Sequence, residues 1–112
     1  MADFVPHAAR NAEAPAIEAL GRLIDIARSD TGQAARVANF LLAWWNAERD
    51  GGFDLTDLWM VDQSIADDMI LVFALAARSR CYPDAFGFNG AIFHQIVTDW
   101  RKPKRARRGR AA

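Results

Sequence analysis

A chain of 112 residues, 52% of them hydrophobic and 11% aromatic, is a folding sequence with room for one domain of about 100 residues. Its formal charge is zero, yet seven of the fourteen basic residues (Arg101, Lys102, Lys104, Arg105, Arg107, Arg108 and Arg110) lie in the last twelve positions, so residues 1–100 hold seven basic and fourteen acidic groups, a net charge of −7. An acidic body with a basic tail disfavours a small neutral substrate and points to a charged protein or a nucleic acid.

Residues 1–13 lack periodicity and read as an N-terminal arm. A first helix is expected from near Pro15, which suits a first helical position, with Ile17, Leu20, Leu23, Ile24 and Ala27 on one stripe. Ser29-Asp30-Thr31-Gly32 breaks that pattern, and either Asp30 or Thr31 is the expected cap of a second helix from about Gln33 to Arg49. Val37, Phe40, Leu41, Trp44 and Trp45 give this helix a wide apolar face, which makes it central to a bundle. Asp50-Gly51-Gly52 ends it. Phe53 to Val61 reads as a short helical turn capped by Asp54 or Thr56, with Leu55, Leu58 and Trp59 packing inward.

Asp62 is the expected cap of a helix from Gln63 to about Arg80, in which Ile65, Met69, Val72, Phe73 and Ala76 recur at helical spacing. Tyr82-Pro83-Asp84 stops it and opens a loop through Gly90. A last helix from Ala91 to Trp100 precedes Pro103. No segment alternates with period two, so the expected fold is all-α, a bundle of four main helices and one short one over residues 14–100, followed by a flexible basic tail over 101–112. The longest apolar stretch, Met69 to Ala77, falls short of the ~20 residues that cross a bilayer, so no membrane partner is expected. With no secretory pattern at the start and one cysteine, Cys81, the expected location is the cytoplasm.

Catalytic groups are sparse. Asp54, Asp57, Asp62, Asp67 and Asp68 are acidic enough to suggest a hard cation. Adjacent helical residues such as Asp67 and Asp68, however, point about 100° apart. His7 and His94 form no ligand pair, and Cys81, expected as a partly buried thiol, has no nearby histidine to activate it. Nucleotide fingerprints and zinc spacings are absent. The expectation is a protein without enzymatic activity, metal or other cofactor.

Trp44 and Trp45 pose a sharper question, because consecutive helical side chains diverge. One of them either reaches a second packing element or stands exposed as a binding anchor. Phe86 and Phe88, flanking Gly87, pose the same alternative. The tail is either a solubilising end or an arm that contacts phosphates.

Leu41-Leu42-Ala43-Trp44-Trp45-Asn46-Ala47-Glu48, Gly51-Gly52-Phe53-Asp54-Leu55-Thr56-Asp57-Leu58-Trp59, Asp62, Ile65-Ala66-Asp67-Asp68-Met69 and Tyr82-Pro83-Asp84 together resemble an uncharacterised domain-of-unknown-function family. The resemblance spans about residues 17–101. Members of that family are small proteins carried on proteobacterial plasmids and integrative conjugative elements, with no assigned activity to transfer. The resemblance implies an accessory protein that helps a mobile element survive in its host. The sharpest expectation is an anti-CRISPR-like inhibitor of a host defence complex, such as a CRISPR–Cas subunit. Asp54, Asp57, Asp67 and Asp68 would oppose Arg and Lys that hold phosphates, and Trp44 or Trp45 would supply the anchor. The alternative is a DNA- or RNA-binding accessory protein acting through Arg101, Lys102, Lys104, Arg105, Arg107, Arg108 and Arg110. A third reading is a hydrolase or metal-dependent enzyme using Asp67 or Asp68 with His94.

Overall fold

A computed structural model describes residues 7–101. Four α-helices, α1 (His7–Ala27), α2 (Ala34–Asp50), α3 (Gln63–Ser79) and α4 (Gly90–Trp100), are joined with two 3-10 turns, Leu55–Met60 and Pro83–Phe86. No strand occurs among the described residues, and the chain is all-α as expected. The second 3-10 turn replaces part of the expected loop, with Pro83 at its first position. Proline is preorganised for such a start.

Helix α1 begins at His7 and carries Pro15 inside it, so the expected start near Pro15 is corrected. The residues ahead of Pro15 include Ala8, Ala9, Arg10, Ala12, Glu13 and Ala14, among the strongest helix formers. Proline breaks one backbone bond at a cost of about 3 kcal/mol relative to alanine, which burial of Ala16, Ala19, Leu20, Leu23, Ile24 and Ala27 offsets. Of the arm and tail read from the sequence, residues 1–6 and 102–112 lie outside the described residues.

Two caps differ from expectation. Gln33, in helical conformation, precedes α2 without a side-chain cap bond, and the Thr31 carbonyl accepts the Ala34 N–H at 3.1 Å. Neither the Asp30 nor the Thr31 side chain caps the helix. Gln33 instead clasps the start of α3: its amide donates to Asp62 Oδ2 at 3.1 Å, and its Oε1 accepts the Asp62 backbone N–H. Asp62 holds the N-cap position as expected, but its carboxylate serves Gln33 and not the helix amides.

Helix α2 is broken near its end. Asn46 leaves helical geometry (φ −168°, ψ 81°), and its Oδ1 accepts the Arg49 N–H at 3.1 Å, capping a separate last turn over 47–50. Gly51 then closes that turn at φ 98°, donating to the Ala47 carbonyl at 2.9 Å. The positive φ there is one that glycine adopts without a Cβ penalty.

Helices α2 and α3 both pack on α1, and α4 packs on α2. One core joins them through Leu20, Leu23, Leu41, Leu42, Met69 and Phe93. Trp100 fixes the end of α4 by donating its indole N–H to the Ala27 carbonyl at 2.7 Å. Phe88 packs over α1 at Gly21, where a Cβ would stand 3.6 Å from the ring. That is an ordinary van der Waals contact, so Gly21→Ala should raise stability by about 0.5–1 kcal/mol through helix propensity. Urea unfolding of the two proteins measures the difference.

Candidate functional site

Both tryptophans of α2 find partners inside the molecule. The Trp44 indole donates to the Cys81 carbonyl at 2.9 Å, and its ring lies 6.1 Å from that of Phe86. Trp45 stacks on Phe93 at 4.9 Å and meets the edge of His94 at 5.5 Å. Both are half-buried. Of the alternatives left open by their adjacency, the structure realises packing on two sides, and neither is an exposed anchor. Phe86 and Phe88 likewise pack against the core. Cys81 is exposed rather than partly buried, because it follows Arg80, whose left-handed backbone (φ 58°) ends α3.

The four carboxylates expected to form an acidic binding face are separately engaged. Asp68 accepts a two-pronged contact from Arg22 at 2.9 Å and 2.9 Å, joining α3 to α1 and raising the guanidinium's affinity for its proton. Asp57 sits 3.5 Å from Arg36 Nε. Asp54 caps the first 3-10 turn, accepting from the Thr56 amide at 2.9 Å and hydroxyl at 2.8 Å. Asp67 accepts from Gln63 at 2.9 Å. The Thr56 hydroxyl, and then its amide, hold the Asp54 carboxyl below the usual carboxylate range.

Arg101, the first cation assigned to the tail, is spent on the fold. It donates from Nε to the Asp50 carbonyl at 2.7 Å, from Nη1 to the Trp100 carbonyl at 3.2 Å, and from Nη2 to Asn39 Oδ1. Lys102, Lys104, Arg105, Arg107, Arg108 and Arg110 lie outside the described residues.

The residues thus placed include the strings Leu41 to Glu48 and Gly51 to Trp59, and the family of unknown function DUF7673 matches residues 17–101. The chain belongs to this family. No curated protein and no solved structure matches it.

The feature of this DUF7673 protein that the sequence reading missed is an apolar groove. Because α2 and α3 pack on α1 more closely than on each other, a cleft of about 710 Å³ opens between them. Met69 and Val72 form its buried floor, and Phe40, Trp44, Phe53, Leu55, Ile70 and Phe73 form its walls. Leu55 (68% exposed), Ile70 (58%) and Phe73 (65%) stand open to solvent, and beside them on the same 3-10 turn are Trp59 (81%) and Met60 (58%).

Leu55 and Trp59 were expected to pack inward, and only Leu58 is half-buried. In a 3-10 turn, residues three apart eclipse one another, so Leu58 shares its face with Leu55 while Trp59 and Met60 take the other two. On α3, Ile70, Phe73 and Ala77 fall within about 60° of one another at 100° per residue. The sequence sign of this face was the unbroken apolar run from Met69 to Ala77, which is wider than one buried stripe.

A second depression of about 680 Å³ adjoins the groove, sharing Ala43, Trp44 and Ala47 with it. Its further lining includes Trp45, Glu48, Tyr82, Asp84 and His94. No group of three or more His, Cys, Asp or Glu among the described residues is arranged to hold a metal ion. Asp68 and His94, paired in the hydrolase reading, are engaged in separate contacts with Arg22 and Trp45.

Two predictions follow from these placements. Arg101→Ala should lower stability by about 1–2 kcal/mol, a fall of roughly 5–10 °C in the thermal midpoint, which calorimetry reads. The Asp54 cap, with its carboxyl pKa depressed on folding, should contribute fully above the usual carboxylate range and fade as pH falls through the depressed value. Hydrogen exchange at the Thr56 amide should therefore quicken in acid relative to the rest of the protein, and Asp54→Ala should abolish that dependence.

Proposed function

We propose that this DUF7673 protein is a non-enzymatic, cytoplasmic accessory protein of a mobile element that binds and inhibits a host defence complex, a CRISPR-type effector being the model target. We infer further that binding occurs when an amphipathic helix of the target enters the groove between α2 and α3. The carrying observation is the exposure of Leu55, Ile70 and Phe73 along a cleft whose floor, Met69 and Val72, is buried. Apolar patches of this kind on a small protein mark interaction surfaces, and a helix laid in a groove is a common way to cover one.

Charge selects the occupant. Asp54 lies between the groove residues Phe53 and Leu55, and Asp67 lies one turn before Ile70; both are exposed and without an ion-pair partner among the described residues. A helix whose apolar stripe is flanked by Lys or Arg complements that rim. Such basic helices are plentiful in complexes that hold nucleic acid. On this reading the carboxylates steer and orient, and the aliphatic and aromatic side chains supply the affinity.

The test is affinity purification from a host with an intact defence system, comparing the wild type with Phe73→Glu, each with and without nuclease. A photo-crosslinker at position 70 identifies what lies in the groove. The expected result is a nuclease-resistant complex subunit, lost in the variant and crosslinked through a helix bearing basic flanks. Equal recovery by the variant, recovery of nucleic acid alone, or crosslinking only to a second copy of the chain would each overturn the proposal. Phe73 is exposed, so the variant's circular dichroism and melting should match the wild type.

A further inference from the structure

The depression beside Trp45 differs from the apolar groove in charge. No carboxylate lines the groove, whereas Glu48 and Asp84 both line the depression. Neither has an ion-pair or hydrogen-bond partner among the described residues. The one guanidinium in the lining, that of Arg49, is already matched by Asp50 through contacts of 2.9 Å and 2.8 Å. Two negative charges are thus left without a counterpart at a site of about 680 Å³, within the range of roughly 300–1,000 Å³ typical of small-ligand pockets.

The walls select the kind of cation. Trp44, Trp45 and Tyr82 bring aromatic surface to the same depression. Trp45 and Asp84 converge at Gly90, where a Cβ would lie 3.6 Å from Trp45 Cη2 and 3.7 Å from Asp84 Oδ2. Glu48 is carried on the turn 47–50, a stretch of backbone that Arg101 ties to α4 through the Asp50 carbonyl at 2.7 Å. No three of the acidic and histidine side chains among the described residues are arranged to hold a metal ion. An organic cation is the better match, and a guanidinium above others, because its plane stacks on aromatic rings while its N–H groups point outward to carboxylates, and because it is more weakly hydrated than an ammonium. Glu48, Asp84 and Tyr82 are exposed, which leaves an open side through which a side chain still attached to its own backbone can enter.

We propose that the depression formed by Trp45, Tyr82, Glu48 and Asp84 is a specificity pocket for an arginine side chain of the partner protein. It shares Ala43, Trp44 and Ala47 with the groove, so a helix lying in the groove presents one of its flanking residues here. The source of the arginine rests on the reading of the groove given above; the affinity of the pocket for a guanidinium does not. The partner is thereby narrowed from any basic amphipathic helix to one with an arginine, in preference to a lysine, at the edge of its apolar stripe.

The pocket is tested with the full chain and two probes, N-acetyl-arginine methylamide and its lysine counterpart, followed through the indole N–H resonances, that of Trp45 being assigned with Trp45→Phe. The arginine probe should move the Trp45 resonance saturably and leave that of the exposed Trp59 in place. It should bind several-fold more tightly than the lysine probe, and about tenfold less tightly to Glu48→Gln/Asp84→Asn than to the wild type. Both replaced residues are exposed, so the variant's circular dichroism should match the wild type. Equal movement of Trp45 and Trp59, equal affinity for the two probes, or an unaltered affinity in the variant would each overturn the proposal. The source of the arginine is tested by purification from the host: Glu48→Gln/Asp84→Asn should recover several-fold less of the subunit that crosslinks at position 70, and an arginine-to-lysine change on the captured helix should reproduce that loss. Undiminished recovery would overturn the partner's arginine as occupant, as would a small organic cation that native mass spectrometry finds retained by the wild type and lost from the variant. Absence of the crosslink with the probe titration intact would instead overturn the groove reading, and with it the assignment of the arginine to that helix.

Discussion

The packing of two helices onto one is the constraint on which the rest of the structure depends. Helix α1 buries Ala16, Ala19, Leu20, Leu23, Ile24 and Ala27, a stripe in which alanines flank a central run of larger residues, so that neighbours can approach closely at the small positions. Helices α2 and α3 both use this surface and keep apart from each other. Their facing flanks are therefore covered by side chains from one side only. Met69 and Val72 reach the core, while Phe40, Trp44, Ile70 and Phe73 are left as walls. The groove is a consequence of where the core closes, and filling it internally would take another helix, which the described residues do not supply.

The second constraint is the break at Asn46. It sends the end of α2 back on itself, which brings the Asp50 carbonyl and Asn39 within reach of one guanidinium. Asp50 itself is buried at 6% exposure and takes two contacts from Arg49. A buried carboxylate is costly unless paired, so the turn 47–50 and Arg49 are fixed together. Arg101 then locks α4 to this corner. The chemistry of the family string from Leu41 to Trp59 is largely that of making this turn: Asn46 caps it, Gly51 releases it, and Phe53 returns to pack on Phe40 at 5.2 Å.

Helix identity was legible in the sequence because apolar spacing near 3.6 residues is a direct record of burial; α2, α3 and α4 lie where that spacing puts them, and α1 extends ahead of its apolar stripe to His7. What the spacing does not record is which apolar residues remain uncovered. Leu55, Leu58 and Trp59 are all apolar, yet only Leu58 is packed against the core, while Leu55 and Trp59 stand open to solvent. The tryptophan pair shows the converse. Trp44 and Trp45 diverge as adjacent helical residues must, but Cys81, Phe86 and Phe93 receive them, and those partners lie far along the chain. The exposed tryptophan is Trp59, in a turn that periodicity alone treated as core. The carboxylates were recognised as a group by composition, yet their roles as cap, clasp and ion pair depend on Thr56, Gln63, Arg36 and Arg22, which only the fold brings to them.

An exposed apolar groove exposes a protein to self-association, and the distribution of charge bears on that risk. Two copies brought together through this face would also bring together Asp54 and Asp67 from each, on bodies that each carry −7 over residues 1–100. Like-charge contact costs most where water is excluded, so the acidic rim opposes a symmetric pairing while leaving a basic partner favoured.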